Sequence, residues 1–230
     1  MRVEVWSDVV CPWCYVGKRR LETALEKFPH RDQVEVVWRS FQLDPSIPED
    51  ETHATLPALA RKYGQPEDAM RQSMRQLEEV AAGEGLTYDL ANGISGNTSL
   101  AHELLHLAAE RGVQGELKEL LLHAHFEESR SVFDVDSLVA LGTEVGLDAD
   151  EAREVLTDRR YRAVVAQEGA TAQSLGATGV PFFVVDRKYG AAGAQPAELL
   201  LQLLERAWAD ANPLITVPAA DGCTDDSCAV

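Results

Sequence analysis

Cys11 and Cys14 are separated by two residues, Pro12 and Trp13, directly after an apolar run that includes Val3, Val5, Val9 and Val10. The following segment has helical spacing, which puts the pair at a helix N-terminus. Free N–H groups and the partial positive charge of a helix end favour a thiolate on the first cysteine, with a pKa of roughly 3.5–7.5. A thiolate, not a thiol, attacks disulfides, so the chemistry implied is thiol–disulfide exchange. Cys11 is expected to be the exposed attacking group and Cys14 the buried resolving one, with Pro12 and Trp13 tuning thiolate stability. Asp8 suits a proton acceptor for Cys14 or a helix cap, and the cap is the favoured reading.

The elements that must hold this pair follow from patterning. Residues 2–7 alternate as a strand, 12–28 carry Trp13, Val16, Leu21, Leu25 and Phe28 at helical spacing, and 34–38 with Phe41 read as a second strand. This is a βαβ unit. From residue 52 to 175 the pattern is almost entirely helical, with segments at 66–83, 98–111, 115–129, 136–145, 149–157 and 159–175. Asp136 and Asp148 or Asp150 are plausible N-caps. Strand texture returns at Val180–Val185, 186–188 turn the chain, 189–193 form a partner strand, and Pro196 opens a last helix.

The bulk composition narrows the field. With 230 residues, 45% hydrophobic and 26% charged, the chain has the profile of an ordinary globular protein able to bury a core without crosslinks. A net charge of -17 argues against nucleic acid and anionic membranes as partners. No apolar run reaches the roughly 20 residues of a membrane span, and Met1-Arg2-Val3-Glu4 enters a strand pattern with no signal-peptide texture. A cytoplasmic setting is expected, where a disulfide is catalytic or sensing rather than structural.

Two metal readings compete. His102-Glu103-Leu104-Leu105-His106 matches H-E-x-x-H, but no third histidine follows at the needed spacing, and Glu127 or Glu128 would have to be invoked freely. His123 and His125 are two apart and point to different helix faces, so they are not a ligand pair. Cys11, Cys14, Cys223 and Cys228 have spacings that allow a zinc site, although Pro-Trp opening a helix suits a redox pair better. The stripe of Leu104, Leu107, Leu120 and Leu121 reads as core.

Gly179-Val180-Pro181-Phe182-Phe183-Val184 resembles the cis-proline loop of thioredoxin-fold enzymes. Together with Ser7–Cys14 and the long helical stretch, it makes the chain resemble the DsbA family, FrnE-like branch, over residues 1–210. Further support comes from Asn97-Thr98, Ala101-His102, 126–134, Gly146-Leu147-Asp148 and Gly193–Pro196. The resemblance implies an α/β thioredoxin fold interrupted by an all-helical insertion. Residues 1–45 and 176–212 would form the thioredoxin-like domain, 46–175 the insertion, and 213–230 an acidic tail. It also implies that Pro181 is cis and faces the dithiol, that Gly179, Val180 and Pro181 bind substrate, and that Val180 pairs with an extended segment of it. Some FrnE-like proteins carry a second cysteine pair. Cys223 and Cys228, five apart in a Gly/Asp-rich stretch, suit a non-helical loop that exchanges electrons with Cys11/Cys14.

The expected activity is disulfide oxidoreductase or isomerase work on protein, peptide or small-molecule disulfides, with glutathione a further partner and no cofactor. Two alternatives remain. One is a glutathione-dependent isomerase or transferase, whose members usually place serine at the first motif position. The other is a non-enzymatic thiol metal-binding protein.

Overall fold

The computed structural model describes residues 1–213. Strand β1 (Arg2–Ser7) pairs in parallel with β2 (Glu35–Ser40), and helix α1 (Pro12–Lys27) crosses between them. Strands β5 (Phe182–Val185) and β6 (Tyr189–Ala192) complete the sheet in the order β2-β1-β5-β6, with β5 antiparallel to β1. Alternation along β1 sorts its side chains. Val3 and Val5 join Leu21, Ala24, Leu200 and Leu204 under α1 and α9 (Ala197–Ala211), while Trp6 joins Phe182 and Val184 on the other face. This is a thioredoxin-type α/β arrangement with its sheet built from both ends of the chain.

Between β2 and β5 run α2 (Thr55–Tyr63), α3 (Glu67–Gly83), α4 (Ser99–Glu110), α5 (Gln114–Phe126), α6 (Val135–Glu144), α7 (Ala149–Thr157) and α8 (Arg162–Ser174). Helix α2 and a short antiparallel ladder of β3 (Thr52–Ala54) with β4 (Ile94–Gly96) depart from the sequence reading of this stretch. Three-residue strands are too short to show a period. A second correction concerns α6, whose N-terminal N–H of Ser137 is capped by Asp134 rather than Asp136; Asp148 caps α7 through Glu151. Asp136 lies one residue inside the first turn, where its charge meets the helix end but its side chain cannot replace the cap.

Two helical cores flank the dithiol. Leu104, Leu107, Leu117, Leu121, Leu138 and Leu141 form one, and Val9 from the loop before α1 enters it. Leu56, Met70, Met74, Leu122 and Phe126 form the other around Tyr15 and Val16 of α1. Helix α5 serves both: Leu117, Leu121 and Ala124 face the first, whereas Leu122 and Phe126 face α1. Lys118, one turn before Leu122, lies in register with that second stripe.

Candidate functional site

Pro12 occupies the first turn of α1, where its missing N–H costs nothing, and Cys11 is the N-cap residue with extended backbone (φ -94°, ψ 109°). The Cys14 N–H donates to the Cys11 carbonyl at 2.9 Å. Both thiols are free. Gly17 permits the neighbouring loop to close on this turn, because a Cβ there would lie 2.8 Å from Pro181 Cγ. The Val180–Pro181 peptide is cis, and the Cys11 thiol donates to the Val180 carbonyl at 3.5 Å. The Tyr88 hydroxyl donates to the Pro12 carbonyl at 2.9 Å, tying the turn to the segment after α3. Cys11, Pro12, Trp13, Gly179 and Val180 thus share the wall of one cavity of about 1430 Å³, with Cys14 beneath and Pro181 against α1. Met70, Met74, Leu77 and Phe126 make its far wall apolar. Trp13 is 41% exposed at its edge, but Cys11 is only 4% exposed, which corrects the expectation of an exposed thiol. The loop carrying Val180 covers it.

The charge of the reduced pair is also placed differently from the sequence expectation. Burial raises the Cys14 thiol, but the hydrogen bond from Cys11, the Lys118 charge, the Ser7 hydroxyl and the Asp8 N–H outweigh it and bring Cys14 below the ordinary thiol value. The bond to Cys14, with burial, raises Cys11 well above it. The hydrogen bond between the two sulfurs couples them, and the Lys118 charge faces the inner one. A proton passed from Cys11 to Cys14 creates the outer thiolate.

Asp8 does not cap α1, whose N-cap is Cys11. It is 1% exposed, and it accepts from the Val9 N–H at 2.8 Å and the Leu43 N–H at 2.8 Å. Its Oδ1 also meets His102 Nε2 at 3.1 Å. Burial pushes the Asp8 carboxyl up, but His102, the Leu43 N–H and the Lys118 charge hold it below its ordinary value. Lys118 is 1% exposed and lies 5.8 Å from the centre of the Trp38 ring. Burial lowers its ammonium to about 8 against the pull of Cys14 and Asp8. Sequence reasoning missed Lys118, His102 as the partner of Asp8, and His125, which lines the cavity. The available signal was a lysine in step with Leu122 and Phe126 on an apolar stripe.

The H-E-x-x-H residues are spent on structure. His102 meets Asp8, Glu103 accepts from Arg159 Nε at 2.8 Å and the Tyr161 N–H at 3.1 Å, and His106 meets Ser40 Oγ at 3.1 Å. Helix α4 is buried nearly all round, so its polar groups need protein partners. His123 instead lies near Glu128 at the surface. No group of three metal-ligating side chains occurs among the described residues. Cys223 and Cys228, and with them the relay and the four-cysteine zinc reading, lie outside the described residues.

Comparison with known proteins follows the same geometry. The DSBA-like thioredoxin domain family matches residues 2–205. A curated protein called YwbO, itself uncharacterized, from Bacillus subtilis (strain 168) is 32% identical over 190 residues, 80% of this chain and 86% of that one. A crystal structure of a probable DsbA oxidoreductase from Streptomyces coelicolor superimposes with a TM-score of 0.88 at 48% identity, over 100% of this chain and 99% of that one. The cytosolic disulfide reductase DsbM from Pseudomonas aeruginosa shares the fold with a TM-score of 0.59 at 19% identity, over 92% of this chain and 98% of that one. No helix among the described residues is long and apolar enough to cross a membrane.

Proposed function

On the premise that the chain belongs to the DSBA-like thioredoxin domain family, and so to thiol–disulfide oxidoreductases, we propose that it exchanges disulfides with protein or peptide substrates through Cys11 and Cys14. The observation that carries this reading is the pair of free thiols at the start of α1, with the Cys11 thiol against the Val180 carbonyl on the wall of an apolar cavity. Cys11 passes its proton to Cys14, and the Cys11 thiolate attacks one substrate sulfur. The substrate S–S bond breaks, a Cys11–substrate disulfide forms, and the other substrate sulfur leaves as a thiolate that takes a proton from water. Cys14, held by Lys118 and Ser7, attacks Cys11 and gives its proton to the departing substrate sulfur. A Cys11–Cys14 disulfide forms, the second substrate thiol leaves, and two electrons pass to the substrate. The reverse sequence oxidises a dithiol. The cysteines are the redox group, so no organic cofactor enters.

Pro12 and Trp13 set thiolate stability, while Gly179, Val180 and Pro181 shape the substrate path. The helical segment 46–175 acts as an insertion in a thioredoxin-like domain of residues 1–45 and 176–212, as in the FrnE-like branch. Cys223 and Cys228 serve as a second redox pair in the 213–230 tail. A cytoplasmic setting, with glutathione as an exchange partner, suits a cysteine-poor chain. Its neighbour DsbM, a cytosolic reductase, has a structure with glutathione.

The test is trapping. Cys14→Ser incubated with an oxidised peptide is expected to accumulate a Cys11–peptide disulfide visible by mass, and Cys11→Ser is not. A protein that traps nothing, and instead holds stoichiometric zinc on its thiols, would overturn the reading in favour of metal binding.

A further inference from the structure

His125 lines the same cavity as Cys11 and Val180, yet its buried ring nitrogen Nδ1 has no hydrogen-bond partner among the described residues. That nitrogen is sealed from solvent. Phe126 and Phe133 stand edge-on to the ring with centroids at 4.6 Å and 5.7 Å, which fixes its plane. The residue is only partly buried and lines the cavity, which leaves Nε2 as the nitrogen able to reach it.

The sealed nitrogen decides the tautomer. An unpaired buried N–H is far rarer than an unpaired acceptor, so Nδ1 carries the lone pair and Nε2 carries the proton. The ring is neutral, since burial lowers it to about 4. A neutral N–H in an apolar wall, within reach of the Asp8 charge, does not suit a carboxylate. It suits a neutral acceptor, and a polypeptide supplies one as a main-chain carbonyl at every residue.

We propose that His125 is a substrate-binding residue whose Nε2–H donates to a main-chain carbonyl of the polypeptide held at Cys11, so that the cavity is built for peptides rather than for small disulfides lacking an amide. This rests on the exchange reading above and names the substrate class of that site. The cost is borne by the free protein, which buries an imidazole with nothing to bind it.

The experiment compares kcat/KM for a disulfide-bonded peptide with that for hydroxyethyl disulfide, in wild type, His125→Leu and His125→Gln. His125→Leu is expected to lower the ratio of peptide to small disulfide about fivefold to tenfold, the worth of one hydrogen bond, through KM rather than kcat. His125→Gln, which keeps an N–H donor, recovers part of it. His125→Leu is also expected to raise Tm, because it removes the unpartnered nitrogen. A readout that leaves position 125 unchanged is the 15N shift of His125 Nε2 in Cys11→Ser, which is expected to move when the reduced peptide is added. An unchanged ratio with an unmoved shift overturns the assignment while exchange stands. Failure of the wild type to exchange with either substrate overturns the exchange reading and this inference with it.

Discussion

Two buried charge clusters sit on opposite sides of strand β1, and they are finished to different degrees. On the sheet face toward α8, Glu4 accepts from Arg39 at 2.7 Å and Arg187 at 2.9 Å, and Glu168 accepts from Arg39 at 2.7 Å and from the Ser40 N–H at 2.6 Å. His106 approaches the same Glu168 carboxylate at 3.4 Å. Each carboxylate there meets its cation. At the start of α1, Asp8 is tied to His102 and two N–H groups, but Lys118 has no carboxylate within ion-pair distance among the described residues. Its charge is left for the thiols. A cluster that closes on itself stabilises the fold; one left open at a reactive sulfur sets chemistry.

Changes on the two sides should separate accordingly. The largest effect belongs to Cys11→Ser, which should lower peptide-disulfide exchange by at least about a thousandfold, because the attacking sulfur is gone; stopped-flow fluorescence of the reduced peptide product measures it. Next comes Glu168→Gln, which leaves Arg39 partly uncompensated and should cost about 3 kcal/mol in urea unfolding with no change in thiol reactivity. The same carboxylate predicts a pH dependence. Burial raises Glu168, but His106, the Ser40 N–H and Arg39 bring it down to about 2. Its folded value is therefore depressed, and its stabilisation is full above the ordinary value of 4.5 and lost as pH falls from there toward 2. Urea midpoints at pH 6 and pH 3 should converge between wild type and Glu168→Gln.

Lys118→Met should act in the opposite register. Its effect on the first thiol pKa is an increase of about one unit, a tenfold change in thiolate, read from absorbance at 240 nm against pH. The fold should gain stability near neutral pH. Burial depresses Lys118 to about 8, so the unfolded chain holds the extra proton between about 8 and 10.5. Wild-type stability therefore carries a penalty that is full below pH 8 and is relieved as pH rises through that window, and Lys118→Met should flatten that rise. The smallest effect is expected from Asp8→Asn. Removing a negative charge that raises Cys11 should make the pair a few-fold more acidic, opposite in sign to Lys118→Met. Equal signs from the two variants would mean a shared packing defect rather than electrostatics.

Much of the sheet and of its cover by α1 and α9 was legible in the sequence. Val3 and Val5 alternate, Leu21 and Leu25 keep helical spacing, and Pro196 opens α9, so the sheet and its covering helices follow from period alone. Cys11 and Cys14 were equally legible, because a short-range motif carries its own chemistry. What stayed hidden was long-range: Lys118 lies over a hundred residues from Cys14, and only the docking of α5 onto α1 brings them together. The closing of the Val180 loop on α1 buried Cys11, and the Lys118 charge brought by α5 lowered Cys14. Helical spacing puts His102 and His106 on one face, but it does not show that Asp8 and Ser40 each take one.

The most direct measurement is the reduction potential of the Cys11/Cys14 couple by equilibration with glutathione, in wild type, Lys118→Met and Glu168→Gln. Lys118 stabilises the reduced, thiolate-bearing form, so its loss should lower the potential by about 30 mV, while Glu168→Gln should leave it unchanged despite its loss of stability. A potential that tracks stability in both variants, or a dithiol that does not equilibrate with glutathione at all, would contradict the account.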